Sequence, residues 1–441
     1  MNISRNDILV IFPLGLLLVI GLIMVTSSSI YIADEMTSNP FHFAKRQALF
    51  ISVGLFSLIF FLILPSEFLL RSDWVFMLLS ILLLIILFIP EVGTSVNGSI
   101  RWIRIGSINI QPSEVCKFSL ILYISGYSVR RISEMNSLRS FLKPLFLLFI
   151  ISLLIMSQPD LGSTAIICFL VVGILFYAGI SFFQICLLVL LIILLGYLAI
   201  TSSPMRLARV LAFTDPFALD VVQNAGWQLS NSLISIGQGG WLGLGLGNSF
   251  QKSFFLPEAH TDFIFAILVE ELGIIGGLLL IFLYMTLLIG LIFISFDSFK
   301  KDRLFQGYVV FGVFLLISIQ AFFNIAVNIG LLPTKGLTLP FISYGGTSII
   351  IMLSLMGIVL RINNENKVHI KGDVIVDSLK LKMPNEYAKL GFKPSVTVVI
   401  DTINWVINNV VTELDTLKLV EITNKYYIWA RILMTSVYQY L

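Results

Sequence analysis

Residues 260–299 read HTDFIFAILVEELGIIGGLLLIFLYMTLLIGLIFISFDSF. From Leu272 to Phe296 no charged residue interrupts the run, which exceeds the ~20 apolar residues that carry a helix across a bilayer. Comparable runs fall near 8–27, 46–64, 73–90, 114–128, 143–158, 161–180, 182–201, 262–296, 304–331 and 340–361. Together they predict an all-α, polytopic transmembrane helical bundle of about ten spans. Of the 441 residues, 57% are hydrophobic and 12% charged, with mean hydropathy +0.97. A soluble domain carries about 25% charged residues, and its core could not hide this much apolar surface. The net charge of +3 gives no ground for a nucleic-acid partner. Cys116, Cys168 and Cys186 sit inside apolar runs without metal-ligand spacing and read as small core residues. The first run follows Arg5, is too long for a secretory h-region and lacks a small-x-small cleavage site, so it reads as a retained helix.

Basic residues set the orientation. Arg130, Arg131, Arg139 and Lys143 fall in the fourth loop, and Lys300, Lys301 and Arg303 in the eighth. Both are even-numbered loops, which places them and both termini in the cytoplasm. The outer loops nevertheless hold Lys45, Arg46, Arg101, Arg104, Arg206, Arg209, Lys252 and Lys335. Cations kept outside against the usual bias are what an anionic ligand requires, although scattered interfacial charge reads the same way. Residues 1–362 form the expected membrane domain. Residues 363–441, mixed in charge with apolar patches at 396–400 and 405–411, read as a cytoplasmic tail with amphipathic helices.

The large outer segment between the seventh and eighth helices, 200–261, is rich in Gly, Trp and Leu. Its stretch GQGGWLGLGLGNSFQKSFFLPEAH predicts a compact re-entrant or surface-lying structure. As a phosphate loop it is weak, lacking a preceding strand and the Lys-Ser/Thr pair. Ionisable groups at membrane depth call for a role. Asp262 stands at the outer end of the eighth helix beside His260, where capping is the plain alternative. Glu270 and Glu271 follow eight and nine residues on and cannot both face the same cavity as Asp262. Gly273, Gly276 and Gly277 mark a kink or close packing contact. In the third loop Ser113 and Glu114 read first as helix caps, while Arg101, Trp102 and Arg104 are spaced to meet a ligand from an extended segment. Asp160 reads as a cap, and Asn324 and Asn328, one turn apart, as interhelical hydrogen bonders. Lys335, between two prolines, suits a phosphate.

The motifs RWIRIGSINIQPSEVCKFSLILY, QPDLGS, GWQLSNSLISIGQGGWLGLGLGNS, LPEAHTDFIFAILVEELG and LLPTKGLTLPFISYGGTS, in this order, resemble the SEDS family (shape, elongation, division and sporulation) over residues 8–362. The turn LLPTKGLTLPFISYGG is closer to the division members than to the elongation members. The resemblance implies a peptidoglycan glycosyltransferase that polymerises lipid II, an undecaprenyl-pyrophosphate-linked disaccharide peptide, at the outer face of the cytoplasmic membrane, at the division septum. A lipid II transporter, or an elongation-type polymerase, is the alternative. It further implies a class B penicillin-binding protein and other divisome proteins as partners, and a divalent cation (Mg or Mn) as a conceivable cofactor. The family's essential aspartate maps to Asp262, as candidate base. The leaving pyrophosphate needs positive charge rather than a second acid, which gives the outer Arg and Lys residues a common purpose. The tail 363–441 has no counterpart in the family pattern.

Overall fold

The computed structural model describes residues 4–89, 92–96, 99–105, 108–134, 137–219 and 221–380. The helices are α1 (Arg5–Thr37), α2 (His42–Ile63), α3 (Ser66–Ile86), α4 (Pro112–Arg130), α5 (Leu138–Met156), α6 (Leu161–Tyr177), α7 (Phe182–Thr201), α8 (Pro204–Thr214), α9 (Trp227–Gly239), α10 (Ile264–Phe299), α11 (Leu304–Asn328) and α12 (Gly346–Lys380). Each of the ten expected spans coincides with one of them; α8 and α9 are additions from the large outer segment. Among the described residues seven helices are long and apolar enough to cross a membrane, and α5 and α6 are shorter apolar helices. The tenth, α4, carries Glu114, Lys117 and Arg130 and buries nearly its whole surface, so protein rather than lipid surrounds it. The chain is a multi-pass membrane protein.

The one departure from an all-α bundle is a small antiparallel sheet in the third loop: β1 (Gly93–Val96), β2 (Ser99–Ile105) and β3 (Ile108–Ile110), in the order β1-β2-β3. It supplies the extended segment expected around Arg101 and Arg104.

α10 packs against α1 and α11, and α4 against α3, α6 and α11. α1 is held at its start by a capping box, in which the Asp7 backbone N–H donates to Ser4 Oγ. It is an integral part of the core through Val10, Leu14, Leu17 and Met24. α7 is the opposite case: only Leu188 is buried along it, so it faces lipid on almost every side. Cys186 lies on α7 and is exposed, unlike Cys116 and Cys168, which are buried as expected. The expectation of three core cysteines therefore fails for the one on the least packed helix.

At one end of the bundle polar side chains tie helix ends together. Asn363 donates to Asp7 at 2.6 Å, and Lys367 pairs with Asp7. Glu365 accepts from Ser66 Oγ and Arg361, with Arg303 at 3.5 Å. These contacts explain why α12 continues past residue 361 instead of ending there. The chain divides into two units, Met1–His369 and Ile370–Leu441, a few residues beyond the expected boundary at 362. Of the second unit, residues 370–380 are helical. The expected tail patches at 396–400 and 405–411 lie outside the described residues.

The expected kink is a break in α10. Gly273 has φ 73 and ψ −179, a conformation closed to residues with a side chain. The break strands backbone groups on both sides, and the glycine-rich segment takes them up. Leu244 and Gly245 N–H donate to the carbonyls of Glu270 and Glu271 at 2.9 and 3.0 Å. Ile274 and Ile275 N–H donate to Gly240 and Trp241 carbonyls at 2.9 and 3.3 Å. The approach is so close that a Cβ on Gly243 would lie 2.2 Å from the Glu271 carbonyl oxygen. Glu271 also meets Ser27, about 15 Å short of the outer end of α1 at 1.5 Å per residue. The segment is thus re-entrant, and its backbone is satisfied by protein, as the bilayer demands.

Candidate active site at the outer end of the bundle

A cavity of about 860 Å³ opens at the end of the bundle opposite the Asp7–Lys367 ties. Asp262 lies in its wall, just before α10. Three successive carbonyls leading into the helix are each held from elsewhere in the fold. Tyr344 N–H donates to His260 C=O at 2.9 Å, and Ser343 Oγ to Thr261 C=O at 2.6 Å. Asn324 and Asn328 Nδ2 donate to Asp262 C=O at 2.8 and 3.0 Å. The Asn328 carbonyl oxygen Oδ1 also accepts the Ala266 N–H at 3.0 Å, which it shares with the Phe263 carbonyl at 3.1 Å. The two asparagines are therefore interhelical hydrogen bonders, as expected, and their object is the Asp262 backbone. Capping is not the role of Asp262: the residue preceding α10 is Phe263, and no side chain caps the helix.

The Asp262 side chain is shaped by its surroundings. Burial, and then the Glu258 carboxylate, push its pKa up to about 7, against the opposing pull of Arg101 and Arg209. Gly336 faces it so closely that a Cβ there would lie 3.0 Å from Asp262 Oδ2. The glycine in the 333–341 turn keeps that approach open. Lys335, beside it, has its pKa lowered to about 8 by burial and by Arg206 and Arg209. His260 is buried between Phe43 and Tyr344, and burial lowers its pKa, so it lines the cavity as a neutral ring.

Most of the expected anion-binding residues converge here. Arg101, Trp102, Arg206, Arg209, Lys335, Glu114 and His260 all line the cavity. Arg101 is fixed by donating to the Pro159 carbonyl at 2.7 Å, with Asp160 at 3.9 Å. Arg206 donates to the Ala199 carbonyl at 2.9 Å. Asp160 does cap α6, accepting from Ser163 N–H at 3.1 Å, yet it also lines the cavity. Glu114 is not a helix cap: Gln111 precedes α4 without a side-chain cap, and Glu114 pairs with buried Lys117 at 2.6 Å.

Two expectations fail. Arg104 is exposed on β2 and lies outside the cavity lining, while the neighbouring Ile103 is buried. β2 carries a bulge at Arg101, since Ile100 and Trp102 pair with the successive residues Ser95 and Thr94 of β1, and Arg101 and Trp102 both reach the cavity from neighbouring positions. Lys252 is buried and bonded to Glu271 at 2.7 Å and to Ser27 at 3.0 Å. It is spent on an internal ion pair and is not available to a ligand. Glu270 accepts from Ser235 and Ser249 hydroxyls, each at 2.6 Å, and from Phe250 N–H at 2.7 Å. Both glutamates thus anchor the re-entrant segment to α10 and face away from the chemistry.

Arg46, one of the expected outer cations, also lines the cavity, and so do Glu258 and Gln320, which the sequence did not single out. Glu258 stands four residues before Asp262 within the quoted LPEAH motif, and Gln320 four before Asn324 on α11. That spacing was the available signal.

Residues 7–368 match the family model for the FtsW/RodA/SpoVE cell cycle proteins. A probable peptidoglycan glycosyltransferase FtsW from Legionella pneumophila is 43% identical over 353 residues, covering 80% of this chain and 89% of that protein. One of the same name from Coxiella burnetii is 42% identical over 354 residues, covering 80% and 94%. Among solved structures, a chain from a peptidoglycan synthase complex superposes with TM-score 0.65 at 24% identity, covering 81% of this chain and 97% of that one. The rod shape determining protein RodA of Thermus thermophilus gives TM-score 0.60 at 23% identity, covering 81% and 96%. At these identities the structural likeness speaks for the fold, whereas the family match and the sequence relatives speak for descent. The chain belongs to the FtsW/RodA/SpoVE family.

Proposed function

We propose that this chain is a peptidoglycan glycosyltransferase that polymerises lipid II at the outer face of the cytoplasmic membrane, in septal division, with Asp262 as general base. One observation carries the assignment of the base: a carboxyl whose pKa stands at about 7, in a cavity lined by Arg101, Arg206, Arg209 and Lys335. A base poised near the working pH is half ionised there and still strong enough to take a proton.

An acceptor sugar hydroxyl gives its proton to Asp262 as its oxygen attacks the anomeric carbon of the lipid-linked donor. The bond from that carbon to the pyrophosphate oxygen breaks, and the pyrophosphate leaves with the electron pair. Its charge is met by the guanidinium groups and Lys335, so no second carboxylic acid is needed. Trp102 offers an apolar face to a sugar or lipid. For a divalent cation, no three His, Cys, Asp or Glu side chains converge among the described residues. Mg²⁺ commonly takes one or two carboxylates together with substrate phosphates, and Glu258 suits that role; such an ion would further neutralise the leaving group.

The basic residues of the fourth and eighth loops support a cytoplasmic position for both termini and, with it, a cavity on the outer side. The family's division members and the solved synthase complex support a class B penicillin-binding protein and divisome proteins as partners. The test is polymerisation of lipid II by the purified protein, with Asp262→Asn as control. Glycan chains from wild type and none from the variant are expected. Full polymerisation by the variant would remove Asp262 from the mechanism, and transbilayer movement of lipid II without polymer would favour a transporter.

A further inference from the structure

The cavity is not uniform along its depth. Its cations belong to the start of α2, the third loop, α8 and the 331–345 turn, all at the same end of the bundle. Deeper in, the lining includes Glu114 of α4 and Gln320 of α11. Both are almost fully enclosed, at 5% and 1% exposure, and each holds one oxygen with no hydrogen-bond partner: Glu114 Oε2 and Gln320 Oε1. A buried polar atom left unpaired costs about 1–3 kcal/mol, so two of them at one level of a cavity point to something that pairs them.

The two are at one level by the packing of their helices. α4 and α11 are the fourth and ninth spans and run in opposite directions. They touch where Gly312 faces Ile121, at 3.0 Å from a Cβ built on the glycine. Glu114 lies seven residues outward of Ile121 and Gln320 eight outward of Gly312, so their heights agree within about 2 Å. Gln320 also sits one turn, about 6 Å, inward of Asn324, which holds the Asp262 backbone. The pair therefore lies below Asp262 by about the breadth of one pyranose ring.

Their chemistry is one-sided. Lys117, itself 1% exposed, pairs with Oε1 of Glu114 at 2.6 Å and leaves Oε2 free to accept. Gln320 adds a second acceptor oxygen. The two unpaired oxygens are acceptors, and they match the hydroxyl and amide N–H groups of an N-acetylated sugar.

We propose that Glu114 and Gln320 form the subsite for the acceptor sugar, holding the ring whose hydroxyl Asp262 deprotonates, while the outer cations hold the pyrophosphate of the donor. The inference rests on the glycosyltransferase reading. It divides the cavity by charge: donor anion at the mouth, acceptor ring within.

Gln320→Met tests it, because the thioether fills the space and removes the acceptor oxygen. The full-length protein is assayed with saturating lipid-pyrophosphate donor, and a soluble tetrasaccharide of N-acetylhexosamines is varied as acceptor. The KM for the acceptor is expected to rise about tenfold, the value of roughly one hydrogen bond in a buried site, with the donor KM unchanged. The thermal midpoint should hold or rise, because an unpaired buried oxygen has been removed. Glu114→Gln, with the Lys117 partner kept, should show the same split. A rise confined to the donor KM overturns the subsite, as does an unchanged acceptor KM with a lowered midpoint, which makes Gln320 merely structural. A wild-type protein that transfers sugar to no acceptor overturns the glycosyltransferase reading and the subsite together; an active wild type with both variants unchanged overturns the subsite alone.

Discussion

Replacing Glu258 by Gln removes the charge that, after burial, does most to raise the Asp262 pKa. The substitution preserves shape, and an amide oxygen can still accept the Thr261 hydroxyl that now donates to Glu258 Oε2 at 2.6 Å. Burial remains, so the Asp262 pKa should fall part of the way from about 7 towards the ordinary 3.8. Loss of one neighbouring charge in a partly enclosed site is worth about one pKa unit, or roughly 1.4 kcal/mol. The acid limb of the pH–rate profile should therefore move from about pH 7 to about pH 6. At pH 6 the ionised fraction of the base rises from about one tenth to about one half, so the rate relative to plateau increases about fivefold. The plateau itself should drop about two- to threefold, because a weaker base takes the proton less readily. Initial rates of lipid II polymerisation between pH 5 and pH 9 report both effects. An acid limb that stays near pH 7 in the variant, or a wild-type limb near pH 4, refutes the reasoning, since Glu258 would then not act on the base or the base would not be Asp262.

Asp262→Asn should abolish polymerisation and yet stabilise the protein at pH 8. The raised pKa of Asp262 contributes stability that is complete below about pH 4 and lost as pH rises through about 7. Thermal midpoints of the two proteins should coincide at low pH, diverge as pH rises from about 4 to about 7, and stay apart above that, with the variant higher. Lys335, with its pKa lowered to about 8, should set the basic limb of the profile, the rate falling as the ammonium loses its proton. Lys335→Arg keeps the charge at all these pH values and should flatten that limb, measured as the ratio of rates at pH 9 and pH 7.5. Lys252→Met should destabilise by about 3–5 kcal/mol by leaving Glu271 buried without its partner, whereas Lys252→Met with Glu271→Met should recover most of the loss. Thermal unfolding in detergent compares the two, and retained activity in the folded double variant would show that Lys252 touches no substrate.

The spans were legible because lipid imposes one rule on sequence: long apolar runs without unpaired charge. All ten positions could be read, with ends blurred where polar residues prolong a helix, as Asn363 and Lys367 do on α12. The break at Gly273 was legible as a glycine cluster, but not its consequence, because the groups that repair it come from residues 240–245. Asp262 was legible by its motif. Its base character was not, since that depends on Glu258, on enclosure by the cavity wall and on two arginines from other elements.

The cations show the division most sharply. Composition and loop position placed Arg101, Arg104, Arg206, Arg209, Lys252 and Lys335 together on the outer side, and could take them no further. Arg104 stays exposed outside the cavity lining, and the re-entrant segment draws Lys252 into a pair with Glu271. The sequence by itself determined the membrane bundle, the gathering of cations in its loops and the motif carrying Asp262, because hydrophobic length and loop charge are local properties. Only the tertiary structure decided which charges meet, which carboxylates are anchors and which oxygens remain unpaired beneath Asp262, because burial and pairing are properties of residues far apart in the chain.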